Sequence, residues 1–358
     1  MAPYWLLFFL AAWRANSNLQ PVPLTPERSQ GGWLAMFVVL ALMIGLRHEI
    51  GADWGTYIEH QLDARYKSLS ESMFDGADPA YGLLNWLAGQ MDLGVYFVNL
   101  VCAGLFTWGL LVFCRAQPLP WLALVVAVPY LITVVAMGYT RQATAIGLTM
   151  LGLAALADQK IFRFVVFVVL AALFHKSAVI LIPLAVLGSA ERRWWSAVWV
   201  SISAMLFYEL LLQDSVVSLR AGYLEAEYAS SGAAIRVAMN AVPAALFLLL
   251  RKHFDMPQPM RVFWTWMSVG AIGFVGLLVS SSSSTAVDRL ALYWIPLQLF
   301  VLSRLPDALR RARGTPQAVS VKAVVAYSAA VLFVWLLFAD HSYAWLPYQF
   351  YPLVWLWE

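Results

Sequence analysis

Four short stretches carry most of the side chains able to do chemistry. The first, GLRHEIGADWGTY, gathers Arg47, His48, Glu49, Asp53, Trp54 and Tyr57. The second, GYTRQATA, holds Tyr139, Arg141 and Gln142. The third, FHKS, sets His175 beside Lys176, and the fourth follows a serine run with Asp288, Arg289 and Tyr293. Arginine binds phosphate oxygens through a planar fork and keeps its charge at any working pH. Histidine accepts a proton near neutrality, and a carboxylate such as Asp53 or Glu49 can serve the same end. Arginines, carboxylates, a histidine and tyrosines on one face suit an anionic lipid headgroup.

Each stretch also has a plainer reading. Arg47 could snorkel from a helix end, and Glu49 and Asp53 could be solvated charges or its partners. His48 reads as a bystander and the serine run as a linker. Arg141 is harder to set aside, because it lies between apolar segments with almost no polar spacer. An ionisable group at that depth is costly unless it is paired or faces a wet cavity. His175 tips a hairpin whose arm, 162–174, is only about 20 Å long at helical rise. That arm is shorter than the hydrocarbon layer, so the tip is expected inside the bundle. No Walker loop, dinucleotide fingerprint, zinc-ligand spacing or nucleophile elbow is present, which argues against nucleotide and serine-hydrolase chemistry.

The elements that must position these residues are membrane helices. The chain of 358 residues is 62% hydrophobic and 12% charged, with 17 Trp and 15 Tyr to furnish interfacial belts. Twelve apolar segments are predicted, with ten to thirteen compatible with the pattern. They lie near 2–13, 32–46, 93–114, 121–139, 142–157, 162–174, 177–190, 194–212, 234–250, 262–280, 289–303 and 322–339. The expected fold is an all-α polytopic domain over 1–358, since a bilayer demands closed backbone hydrogen bonding. The first segment reads as a retained span rather than a cleaved signal peptide. Cys102 and Cys114 are roughly 18 Å apart on one helix, too far to bridge.

Charge supports the alternation. With 14–31 placed in the cytoplasm, that side collects 15 of the 23 Lys and Arg but five of the 20 acids. The longest extracytoplasmic segment is then 47–92, and 304–322 is a basic cytoplasmic loop. Eight cations work against this rule: Arg47, Arg65, Lys67, Arg141, Lys176, Arg220, Arg236 and Arg289. All four chemical stretches fall on their side, so an outward-facing site is expected.

In their order, GLRHEIGADWGTY, YTRQATAIGLTMLGLAAL, FHKSAVILIPL and DRLALYW resemble the EpsG family of Wzy-like exopolysaccharide polymerases. The likeness spans roughly residues 33 to 300. No single motif is specific; the ordered set on one face carries it. The family's second acidic position has one plausible counterpart, Asp78 in DGADPAYGLL. The resemblance implies a glycosyltransferase of the bacterial cytoplasmic membrane, working at its extracytoplasmic face without metal, nucleotide sugar or other cofactor. Its partners would be undecaprenyl-pyrophosphate-linked donor and acceptor chains, membrane lipids, and chain-length-regulating and export proteins, with no nucleic acid.

Residues and resemblance together suggest a division of labour. Arg141 and Arg289, with Arg47 as a third candidate, would bind the donor pyrophosphate. His175, Asp53 or Glu49 would take the acceptor proton. Trp54, Tyr57, Tyr139, Gln142 and Tyr293 would contact substrate. A lipid-linked oligosaccharide flippase, a metal-dependent transferase using Asp53 and Glu49, a polysaccharide acyltransferase and a structural subunit are the rival readings. Few charges inside the predicted spans weigh against the flippase.

Overall fold

The computed structural model describes residues 1–17, 30–75, 78–183, 232–280 and 284–356. The segment expected at 194–212, the second half of 177–190, and Arg220 lie outside them. The described chain is helical throughout, with one isolated bridge between Arg47 and Phe350. Its first helices are α1 (Ala2–Ser17), α2 (Gln30–Gly45), α3 (Trp54–Ala64), α4 (Leu69–Phe74) and α5 (Pro79–Gln90). The bundle continues with α6 (Gly94–Arg115), α7 (Pro120–Ala127), α8 (Thr140–Ala157) and α9 (Ile161–Phe174). After the undescribed stretch come α10 (Ala233–Leu250), α11 (Gln258–Ser280), α12 (Ser284–Ala291), α13 (Ile295–Arg313), α14 (Gln317–Phe338) and α15 (Tyr351–Val354).

Five stretches are long and apolar enough to cross a membrane: α6, α10, α11, the run Ser284–Arg313 and α14. Shorter apolar helices occur at Gln30–Gly45, Pro120–Ala136 and Ile161–Phe174. The chain is therefore a multi-pass helical membrane protein. The basic stretch 304–322 is not the loop its charges suggested. Helix α13 runs on to Arg313, Gly314 caps it in the left-handed region at φ +68°, and α14 starts three residues later at Gln317. Arginine tolerates helix interiors well, and a basic last turn favours the negative end of the helix dipole.

Two backbone irregularities aim the polar residues. Past Ala127, Pro129 lacks an amide proton, and the helix widens into a π turn over Val128–Ala136. Thr133 Oγ1 donates to the carbonyl of Val128, five residues back, at 2.8 Å. The widened turn leads into Met137–Tyr139 and delivers Thr140 and Arg141 at the start of α8. Between α12 and α13, a 3-10 turn over Leu292–Trp294 precedes Pro296, which cannot donate to the carbonyl of Leu292.

Close helix packing fixes these parts. A Cβ on Gly109 would lie 1.8 Å from the Gly147 carbonyl oxygen, so α6 and α8 touch backbone to backbone. Small residues at such crossings are how membrane helices gain packing when lipid is as apolar as leucine. Cys102 and Cys114 are both free and buried in α6.

Candidate functional site

The loop after α2 begins the site. Arg47 is fully buried, and its guanidinium is spent on the protein. It donates to the carbonyls of Ile44 (2.7 Å) and Ile50 (3.4 Å) and to Thr140 Oγ1 (2.6 Å). Trp54 lies under it at 5.9 Å. Arg47 was expected in the phosphate-binding cluster; the structure makes it a rivet between the loop and α8 instead. A helix-end arginine has the same sequence signature whether its head turns to water or inward.

Glu49 is at the rim. Its backbone takes φ +51°, and its side chain is 63% exposed beside His48, with no arginine in ion-pair range among the described residues. Asp53 is half-buried. Burial pushes its carboxyl up from the usual range, while the nearby Arg289 and Arg141 charges and the Tyr57 hydroxyl oppose that rise. Asp53 is thus within electrostatic reach of both arginines. Tyr57 is buried, accepts the Thr140 N–H at 2.9 Å and lies 3.4 Å from the Gly138 carbonyl.

Asp78 is the hub that the sequence reading undervalued. It is the N-cap of α5, with Pro79 at the first helical position. Its Oδ2 is 3.2 Å from Arg141 Nη1 and 3.7 Å from His175 Nδ1. Its Oδ1 accepts the Lys176 backbone N–H at 3.3 Å. The Arg141 guanidinium also lies over the Tyr81 ring at 5.7 Å. A helix N-cap before Pro was a legible signal; the convergence of α5, α8 and the α9 hairpin on it was not.

The fourth stretch joins through the helix break. Gln142 was expected to contact substrate, but it is buried and donates to the Arg289 carbonyl at 2.6 Å. Asn240 of α10 donates to the Ala291 carbonyl at 2.8 Å, and Gln298 donates to Asn240 Oδ1 at 2.7 Å. These amides occupy carbonyls around the 3-10 turn, where regular helix pairing is interrupted. Arg236 forks onto Asp288 at 2.6 and 2.7 Å. The amides of α10 and α13 were not singled out from the sequence; Arg236 and Asp288 each were, but not as a pair.

Aromatic side chains build walls rather than open platforms. Trp54, Tyr57 and Tyr293 are buried, and Tyr139 is half-buried, so the expected stacking on sugar rings has little free face at the first three. Tyr293 stacks on His175 with centroids 6.5 Å apart, and its hydroxyl has no hydrogen-bond partner among the described residues. No group of three His, Cys, Asp or Glu that could hold a metal occurs among the described residues.

All four stretches therefore meet at one end of the bundle. Arg47 and Tyr57 hold Thr140; Asp78 joins Arg141 to the His175 hairpin; Gln142 holds Arg289; and Tyr293 lies against His175. Such an arrangement can bind a polyanion between arginines and place an imidazole beside it. The profile of the EpsG family matches residues 33–350, nearly the whole chain. No curated protein and no solved structure matches it.

Proposed function

Because the chain belongs to the EpsG family, a family of polysaccharide-polymerase-like membrane proteins, we propose that it extends a polysaccharide by transferring lipid-linked oligosaccharide repeat units. The donor is a repeat unit on an undecaprenyl-pyrophosphate carrier, and the acceptor is another lipid-linked chain. Transfer takes place at the extracytoplasmic face of a bacterial cytoplasmic membrane, which the uneven distribution of Lys and Arg supports.

Arg141 and Arg289 hold the donor pyrophosphate. The bond between the anomeric carbon and the phosphate oxygen breaks, its electron pair leaves on the pyrophosphate, and the two fixed cations stabilise the growing charge. The acceptor hydroxyl oxygen forms the new bond to the anomeric carbon, and its proton passes to His175. Asp53, within reach of both arginines, is the alternative base. Glu49, exposed at the rim, is not part of this reading. No step requires a metal.

The observation that carries the reading is the meeting of Arg141, Arg289 and His175 from three separate elements around Asp78, Asp53 and Gln142. The test is to incubate purified protein with a lipid-pyrophosphate-linked repeat unit and resolve the products by size. A ladder is expected. Arg141→Lys keeps the charge but loses the fork, and is expected to slow extension about 100-fold or more. A single unshifted band with the wild-type protein overturns the reading.

A further inference from the structure

Asp78 serves two masters with one oxygen. Its Oδ2 is within hydrogen-bond distance of Arg141 Nη1 at 3.2 Å, whereas His175 Nδ1 stands off at 3.7 Å. The carboxylate is held in place: Oδ1 takes the Lys176 N–H, and the side chain is only 7% exposed. The Arg141 side chain is 30% exposed and so has somewhere to go. Tyr81 from α5 lies beneath the guanidinium and Tyr293 stacks on the imidazole, which confines both groups to short movements.

We propose that Asp78 is a shared counter-ion, which holds Arg141 until a pyrophosphate takes it and is thereby released to orient His175. The inference rests on the reading that Arg141 binds pyrophosphate. A phosphate pair offers Arg141 more charge and a bidentate contact than one carboxylate oxygen does. As the guanidinium swings to the ligand, Oδ2 loses its nearer partner. Closing the remaining gap to a hydrogen bond of about 2.9 Å takes a shift of under an ångström. The Nδ1–H then donates to Asp78, and the lone pair on Nε2 is free to accept the acceptor's proton. The base is organised only when the donor is bound, which disfavours idle chemistry in an empty site. In this scheme Asp78 is a positioning residue, acting through Arg141 and His175 without touching substrate.

The scheme has a signature that a scaffolding role lacks. Asp78→Asn removes the charge competing for Arg141 while keeping the shape and an acceptor for the Lys176 N–H. It is expected to bind inorganic pyrophosphate about fivefold more tightly, the scale of one weak ion pair of about 1 kcal/mol. The same variant is expected to lower kcat for transfer about tenfold or more, because the imidazole loses its orienting partner. Binding is read by calorimetry on the purified full chain, with Arg141→Ala as reference. Unchanged or weaker pyrophosphate binding by Asp78→Asn overturns the proposal. If Arg141→Ala binds pyrophosphate as well as wild type, or if wild type does not bind it, the reading of Arg141 fails and the counter-ion scheme fails with it. If wild type binds, Arg141→Ala weakens binding and Asp78→Asn does not tighten it, the scheme alone fails. Should Asp78→Asn not fold, Asp78→Ser, a residue well tolerated at an N-cap position, also removes the charge and carries the same expectation of tighter pyrophosphate binding.

Discussion

The two ends of the bundle use arginine differently. At the end holding Asp78, arginines reach across the fold: Arg47 to Thr140, Arg141 to Asp78, Arg236 to Asp288. At the other end, Arg14 lies over the Trp121 ring at 5.1 Å, Arg304 bonds Gln117 and stacks on Phe300, and Arg311 meets Asp255 in the open. Arg310 pairs with Asp307, one helical turn away. The exposed pairs Arg311–Asp255 and Arg310–Asp307 contribute about 0–1 kcal/mol each, so at that end Arg304, bonded to the buried Gln117, is the arginine that fixes geometry across the fold. The first end carries constraints that hold side chains in one arrangement, as a site for a charged ligand requires.

The sharpest way to break this contrast is to treat both ends alike. Arg47→Met leaves two carbonyls and Thr140 Oγ1 without their donor, and each unsatisfied buried group costs about 1–3 kcal/mol. The expected loss is at least about 3 kcal/mol, against under about 0.5 kcal/mol for Arg311→Gln. Thermal melts of the two variants in the same detergent check it, and equal shifts would erase the distinction. A smaller effect is expected at the helix break. Asn240→Leu deprives the Ala291 carbonyl and Gln298 of their partner, at a cost of about 1–3 kcal/mol. Because that carbonyl belongs to the break that carries Arg289, the apparent pyrophosphate affinity should fall together with the melting temperature.

The smallest expected effect has the opposite sign. The folded pKa of Asp53 is raised by burial, so the folded state holds that proton more tightly than the unfolded chain. Its contribution to stability is fully present below the unfolded carboxylate pKa, about 4, and is lost as pH rises through the raised folded value. Asp53→Asn should therefore stabilise the protein at neutral pH, with the advantage shrinking as the medium is acidified past that window. A melting temperature for Asp53→Asn below wild type at pH 7 would contradict the assigned environment.

Much of this was legible in the sequence, for physical reasons. Apolar length located helices near most of the predicted segments among the described residues, and the charges that violated the orientation rule marked the end where side chains now meet. Arg141 stood out because an ionisable group beside apolar spans needs a reason to be there, and the structure brings it near Asp53 and the His175 hairpin. Arg47 was misplaced, since burial of its head depends on a residue 93 positions away. Asp78 was underrated because its partners come from α8 and the α9 hairpin. Gln142 looked like a ligand contact because its true partner is a backbone carbonyl, exposed only where another helix breaks. Pro296 advertised that break, but not which side chains would answer it.

The bridge between Arg47 and Phe350 also has a bearing on the order of events in biogenesis. The Gly51 amide donates to the Ala344 carbonyl, the His48 amide to Gln349, and the Tyr351 amide to Leu46, while Tyr4 of α1 donates to the carbonyl of Trp345. A Cβ on Gly138 would collide with that indole at 2.4 Å. The wall bearing Asp53 is made early in translation, yet the segment that clamps it emerges some 300 residues later. A nascent chain with every span up to α13 inserted would hold its arginines and carboxylates near one another but lack the clasp that fixes their spacing. Assembly of the site is thereby tied to the completion of residues 342–351.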